Sequence, residues 1–448
     1  MNKFEKVLLS IFFIEIFVGG GGRLIEFGPL SIRQVLFLVL LITFAIRIIK
    51  EKALLNKEVN TFIHFTPITI GIYALMGWFF VSAVIGFVYG HPRSVIAMDF
   101  FRVSFFALYF PLAYYIGKTR FTKERIISIL KYSALVVAIF TITITLLGKT
   151  VFSANFGPFY EFMNSIMTGD LFFRPSNSVF YKSHFFVLIG LIISVNALFG
   201  KKHSKLDIFN IIFGSISILW SETRGFLLAF MASMAMIILT DSKIIVTPVR
   251  GFVQKMVKLF QTKKFMKKMV ILIVVIVSVP FLYRYMTLER FGNEAGVERP
   301  ADNLNEENGD AEVNDVSVNA RLDFILDSKR ILLENPVNFI AGTGYGTAID
   351  GRLNGIEMSM LDILVEQGLI GLSIWAFLCL MVFINYYRVV KKEQKLGTME
   401  ISLIAAFMGM LLLTNINPFI NNPIGTCFFL LVLIFSQNRL LDSMKIEK

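Results

Sequence analysis

Runs of about twenty apolar residues recur along this chain, near positions 7–22, 31–47, 67–89, 95–117, 126–147, 179–199, 205–221, 224–240, 269–286, 359–386, 399–415 and 420–437. A helix of that length spans the hydrocarbon of a bilayer, and backbone in lipid must satisfy its hydrogen bonds within the element. About twelve membrane-crossing helices are therefore expected, and the fold class is an all-α polytopic integral membrane protein. Of the 448 residues, 55% are hydrophobic and 47 are phenylalanine, more apolar surface than a soluble globule can hide. The opening Met1-Asn-Lys-Phe-Glu-Lys runs into the first apolar stretch with no small-residue cleavage signal, so a retained first helix is expected.

The net charge of +12 does not point to nucleic acid, because the basic residues fall between the apolar runs. Alternate connections carry them: Arg47 to Lys57, Lys118 to Arg125, Lys201 to Lys205, the stretch from Lys243 to Lys268, and Lys391 to Lys395. Cytoplasmic loops facing anionic lipid have this character, which sets both termini in the cytoplasm. The two cysteines, Cys379 and Cys427, lie inside apolar runs and imply no disulfide framework. His64, His91, His184 and His203 share no ligand spacing, so no metal site is expected.

The remaining connections form the opposite face, and one of them is long. Residues 1–286 are expected to hold helices one to nine, 287–358 a large periplasmic loop, and 359–448 helices ten to twelve. Membrane proteins keep most connections short, so a polar excursion that rejoins the bilayer through glycines and carboxylates is a candidate for chemistry. Within it, Asn293 to Ala320 is rich in Asn, Asp and Glu, as a surface insertion would be. From Arg321, apolar residues Leu322, Ile325, Leu326, Ile331 and Leu332 recur at helical spacing until Asn335-Pro336. An amphipathic helix on the outer membrane surface is expected there.

Arginine dominates the cations of this outer face: Arg23, Arg33, Arg102, Arg174, Arg224, Arg284, Arg290, Arg321, Arg330 and Arg352. The planar guanidinium suits phosphate or carboxylate, although any single arginine here could instead anchor a helix end at lipid headgroups. Two stand out by context. Arg224, in Ser221-Glu-Thr-Arg224-Gly, occupies a tight turn between two helices, and Arg321 opens the amphipathic helix. Gly342-Thr-Gly-Tyr-Gly346 lacks a P-loop ending and any pore-helix context; it predicts a tight turn of positive φ that brings backbone close to a ligand or another helix. Asp362 and Glu366 share a helix face, Glu357 precedes that helix or lies in its first turn, and Asp99 with Arg102 forms an intramembrane or mouth-facing pair.

Three segments in this order resemble a known superfamily: Ser221-Glu-Thr-Arg224-Gly-Phe-Leu-Leu-Ala, Arg321-Leu-Asp-Phe through Gly342-Thr-Gly-Tyr-Gly346, and Leu361-Asp-Ile-Leu-Val-Glu-Gln-Gly-Leu-Ile-Gly371. The chain resembles the O-antigen ligases and Wzy O-antigen polymerases, bacterial inner-membrane glycosyltransferases that use polyprenyl-pyrophosphate-linked sugars. The resemblance implies a GT-C-like architecture with its active site facing the periplasm. Where the ligases commonly carry His-Asn, this chain has Glu357-Met358, which moves the reading from ligase toward polymerase.

On that resemblance, Arg224 and Arg321 would bind the donor pyrophosphate and Glu357 would act as catalytic base, with Arg352, Asp362, Glu366, Gly342, Gly344 and Gly346 in support. Partners would be polyprenyl-pyrophosphate-linked oligosaccharides, membrane lipids and a chain-length regulator, with no cofactor, metal or nucleic acid. The alternatives are a ligase that transfers the glycan to lipid A core, and a flippase for lipid-linked sugars. A flippase would place its charges at mid-membrane and show repeat symmetry, whereas these charges cluster at one rim.

Overall fold

The computed structural model describes residues 1–448 apart from 23–24, 28–29, 53–65, 119, 201–202, 245–251, 292–315, 354, 394 and 446–448. Arg23, Arg250 and most of the insertion expected from Asn293 to Ala320 lie outside the described residues.

The chain begins with α1 (Lys3–Val18) and α2 (Ile32–Lys50), joined on the outer side by the ribbon β1 (Glu26–Phe27) and β2 (Leu30–Ser31). Both helices open on capping boxes, Asn2 with Glu5 and Ser31 with Gln34, which satisfy amide groups that a helix start leaves unpaired. Then come α3 (Pro67–Val88), α4 (Arg93–Ser104), α5 (Tyr109–Tyr115), α6 (Lys123–Lys149) and α7 (Phe156–Ile166). The run expected at 95–117 is thus α4 and α5 in series, joined by a 3-10 turn at Phe105–Leu108. Pro111 has no N–H for the carbonyl four residues back, which favours the tighter turn.

A second ribbon, β3 (Leu171–Phe173) and β4 (Val179–Tyr181), follows α7. The two short ribbons are additions to a chain that is otherwise helical. The run expected from 179 starts as this strand, and its helix, α8, spans His184–Leu198. Helices α9 (Lys205–Trp220), α10 (Arg224–Asp241), α11 (Phe252–Phe260) and α12 (Lys263–Phe291) complete the first part. The outer loop carries α13 (Val316–Glu334), which starts ahead of the expected Arg321, and α14 (Pro336–Ala341). The chain closes with α15 (Ser359–Glu393), α16 (Thr398–Leu413) and α17 (Pro423–Lys445).

Among the described residues, eight helical segments are long and apolar enough to cross a membrane: α2, α3, α4 with α5, α6, α10, α12, α15 and α17. Helices α8 and α16 are apolar but shorter. The protein is a polytopic, helical membrane protein. Its centre is α8, buried on every side from His184 to Asn196 between α6, α9, α10 and α16, as an all-round apolar helix must be.

Ion pairs join the connections expected on the cytoplasmic side. Arg47 lies 2.9 Å from Glu51 and 3.7 Å from Glu5, Lys123 lies 2.9 Å from Glu400, and Lys268 lies 3.0 Å from Asp241.

Candidate active site

A cavity of about 530 Å³ opens at the other end of the bundle, where the starts of α2 and α10, the β3–β4 ribbon, α13, the segment before α15 and the turn from α16 to α17 converge. Arg33, Arg174, Lys182, Arg224 and Arg321 line it, and Glu357 is the single carboxylate among its lining residues. Among the described residues five cations line this hollow against one acid, a balance suited to an anion. Excess positive charge in a low-dielectric hollow is costly without one.

The tight turn before α10 positions Arg224. Glu222 takes φ +51°, a left-handed conformation that reverses the chain between α9 and α10, and the buried Glu222 carboxylate accepts the Ser176 hydroxyl. Arg224 is then the first residue of α10, so its guanidinium adds to the positive end of the helix dipole. Arg174, from the turn of the β3–β4 ribbon, braces the same corner: Nε donates to the Ser221 carbonyl at 3.4 Å and Nη2 to the Thr223 hydroxyl at 3.3 Å.

Arg321 approaches from α13. Its Nη2 donates to the Ile416 carbonyl at 3.3 Å and to Glu357 Oε2 at 3.4 Å. The Glu357 side chain is 44% exposed and that of Arg321 is 23% exposed, so both remain accessible to a ligand from the cavity. Lys182 pairs with Asp170 at 2.8 Å and Arg33 with Glu15 at 2.9 Å, so those two cations are partly neutralised from behind.

Asp362 and Glu366 are not in the cavity wall. They face inward on α15 and meet Arg102, whose Nη2 lies 3.4 Å from Asp362, 3.5 Å from Glu366 and 3.1 Å from Asp99. Three buried carboxylates thus share one guanidinium. Asp362 also accepts from Asn421 Nδ2 at 2.8 Å, and Ser359 donates to Asn421 Oδ1 at 2.9 Å. These bonds tie the start of α15, beside Glu357, to the turn that forms the cavity floor.

The glycine segment also lies outside the cavity, wedged between α3 and α15. Gly342, Gly344 and Gly346 have φ of +83°, +80° and +82°. Thr343 N–H donates to the Val365 carbonyl at 2.9 Å and Gly344 N–H to that of Glu366 at 3.0 Å, carbonyls freed because α15 breaks at Gly368 (φ +66°). Tyr345 N–H donates to Ser82 of α3 at 3.1 Å, and Asp99 accepts from Gly346 N–H at 3.1 Å. These positive-φ turns bring the backbone into close contact with α3 and α15.

Arg352 is likewise outside the cavity wall, its guanidinium 4.7 Å from the Phe324 ring centroid. Asp327 of α13 accepts the Asp350 N–H at 2.8 Å, and that bond, with Arg330 beside it, holds the Asp327 carboxyl below its usual range. The loop carrying Arg352 is thereby fastened to the helix carrying Arg321.

Sequence reasoning brought out Arg224, Arg321 and Glu357, which the fold gathers into one cavity. It named Arg33 and Arg174 only among the outer arginines, and it passed over Lys182. Its charge at the start of the apolar run expected from 179 to 199, which holds no other lysine, arginine or carboxylate, was the available signal.

No family model matches the chain. An O-antigen polymerase of Shigella flexneri is 27% identical to it over 435 residues, covering 95% of this chain and 93% of that protein. That similarity supports the Wzy O-antigen polymerase family to which the sequence motifs point. The similarity extends well beyond the motif-bearing second half, and so takes in the first 220 residues, where the sequence motifs are sparse. Within a polymerase framework, the cationic cavity at one end of the bundle is the place to look for the reaction.

Proposed function

We propose that this chain joins polyprenyl-pyrophosphate-linked oligosaccharide repeat units into polysaccharide at the periplasmic face of the bacterial inner membrane. The observation that carries the reading is the union of Arg224, Arg321 and Glu357 in one hollow whose lining has five cations and one carboxylate, in a chain similar nearly end to end to an O-antigen polymerase.

In this mechanism Arg224 and Arg321 hold the donor pyrophosphate. Glu357 takes the proton of the attacking sugar hydroxyl, whose oxygen forms the new bond to the anomeric carbon of the donor. The bond from that carbon to the pyrophosphate oxygen breaks, and its electron pair leaves with the polyprenyl pyrophosphate. The two guanidiniums meet the negative charge as it grows, where electrostatic stabilisation accelerates most, and the reaction needs no metal. The 3.4 Å contact between Arg321 and Glu357 supports this reading, since one bond made and one bond broken at the same carbon require a base and an anion binder side by side.

Four further apolar helices, α1, α8, α9 and α16, join the eight long segments to give twelve spans with both termini cytoplasmic. Helices α13 and α14 lie on the outer surface, where exposed Leu322, Ile325, Leu326, Leu333 and Val337 meet lipid. A chain-length regulator joins the lipid-linked substrates as a partner in the cell.

The test is reconstitution of the purified protein in liposomes with a polyprenyl-pyrophosphate oligosaccharide. A ladder of repeat-unit multiples is expected. Transfer only to added lipid A core would favour the ligase, and movement of substrate between leaflets without new bonds would favour the flippase.

A further inference from the structure

The β3–β4 ribbon turns a second kind of chemistry toward the cationic cavity. Its antiparallel register sets Phe172 opposite Phe180 and Leu171 opposite Tyr181. Successive side chains of a strand point to opposite faces, so Phe172 and Phe180 share one face while Leu171, Phe173, Val179 and Tyr181 share the other. The second face packs inward: Leu171, Val179 and Tyr181 are buried, and the Phe173 ring lies 5.1 Å from that of Phe156. The first face lines the cavity, with Arg174 and Lys182 beside the two rings. The hollow thus meets an aromatic pair with a cation on either side.

The two rings are not equivalent. Phe180 is buried, with the His184 ring stacked on it at 5.8 Å and 11°, and the Arg174 guanidinium 5.6 Å from its centroid. Phe172 leans on Phe180 at 5.8 Å but is itself 43% exposed. Lys182 Nζ lies 5.8 Å from the Phe172 centroid and is fixed by Asp170, which also accepts the Gly21 N–H at 2.7 Å. The ribbon therefore offers one open aromatic surface on a rigid base.

That surface stands next to Arg224. Phe226, two residues further along α10, has its ring 6.1 Å from that of Phe180, and Arg174 bonds to Ser221 and Thr223 just before it. In a donor whose pyrophosphate is held by Arg224, the group bonded directly to the pyrophosphate is the first sugar. The C–H groups on one face of a pyranose carry partial positive charge and lie well on the negative face of an aromatic ring. Its hydroxyls point outward from the ring, where Lys182, Asn417 and Asn422 line the same hollow and can bond them.

We propose that Phe172 is the platform on which the first sugar of the donor stacks, which makes it a specificity-determining residue; the inference rests on the polymerase reading above. A hydrocarbon tail could also cover the ring, but it would leave the neighbouring lysine and amides without partners. A sugar satisfies both.

The experiment measures binding to the full-length protein in lipid nanodiscs of two probes: polyprenyl pyrophosphate carrying the first monosaccharide of the repeat unit, and sugar-free polyprenyl pyrophosphate. Phe172→Ala should weaken the sugar-bearing probe about fivefold and leave the Kd of the sugar-free probe unchanged within about twofold. Phe172→Leu keeps apolar bulk without an aromatic face and should weaken the sugar-bearing probe to a similar extent, whereas Phe172→Trp should retain it. A Kd for the sugar-bearing probe within about twofold of the unsubstituted protein in Phe172→Ala would overturn the proposal and leave the ring as an anchor at lipid headgroups. Equal weakening of both probes would overturn it as well, because the ring would then touch the lipid pyrophosphate rather than the sugar. Should Phe172→Ala fail to accumulate, Phe172→Leu carries the same outcomes. Failure of the unsubstituted protein to bind either probe would instead defeat the polymerase reading, and the platform with it.

Discussion

Replacing Gly344 by alanine separates the two roles open to the glycine segment, contact with substrate and contact with helices. At φ +80° a side chain costs about 1 kcal/mol in the backbone alone. The larger cost is crowding: a Cβ there would lie 2.6 Å from both Gly86 Cα and the Ser82 carbonyl oxygen, where about 3.5 Å is comfortable. Both neighbours are backbone, so no side chain can swing aside. Relief requires the loop to leave α3, which forfeits the Tyr345-to-Ser82 and Gly344-to-Glu366 hydrogen bonds at about 1 kcal/mol each. The sum is about 3 kcal/mol, a large share of the roughly 5–15 kcal/mol that stabilises a typical fold. Gly351→Ala is the control, because its φ of +72° carries the same dihedral cost and nothing lies within 4 Å of the added carbon. Thermal unfolding of both variants in detergent, followed by size-exclusion, should show Gly344→Ala strongly destabilised and Gly351→Ala lowered only slightly. Equal melting of the two, or a Gly344→Ala protein of normal stability that no longer elongates, would refute the packing argument and return the segment to the substrate.

Three further outcomes follow from the site. Lysine at Arg224 or Arg321 keeps the charge but loses the planar fork, so elongation in liposomes should fall about tenfold or more at normal protein levels; full activity in both variants would reduce these residues to headgroup anchors. Asp362→Asn should cost about 1–2 kcal/mol in unfolding experiments and leave part of the activity, because Asp99 and Glu366 still meet Arg102 while the Asn421 contact is weakened; complete inactivity at normal stability would instead put Asp362 in contact with substrate. A topology reporter within Asn303 to Asn314 should respond as periplasmic and one after Lys448 as cytoplasmic, and reversed responses would remove the common outer face.

The spans could be read from sequence because a bilayer demands long apolar runs whatever their packing, and Arg224 could be singled out because two such runs leave space for only a turn between them. Packing geometry was not legible. The break of α15 at Gly368 is not marked by glycine itself, since Gly371 three residues on sits in continuous helix, yet it creates the free carbonyls that bind the glycine segment. Asp99 and Arg102 are near neighbours on α4, and Asp362 and Glu366 on α15, but their union spans 260 residues of chain, which spacing cannot convey. The β3–β4 ribbon, with Arg174 in its turn and Lys182 just beyond, was hidden for a different reason: Val179 to Tyr181 is as apolar as the helix that follows, so strand and span merged into one hydrophobic run.

The central claim is that Glu357 takes the proton while the neighbouring arginines hold the leaving pyrophosphate. Glu357→Gln preserves shape and can still accept from Arg321, but it cannot take a proton. The direct measurement is the gel ladder formed in liposomes by this variant beside the unsubstituted protein, with donor binding measured on the same preparations. The account predicts normal accumulation, retained binding of the lipid-linked donor and single repeat units only; a full ladder from Glu357→Gln would contradict it.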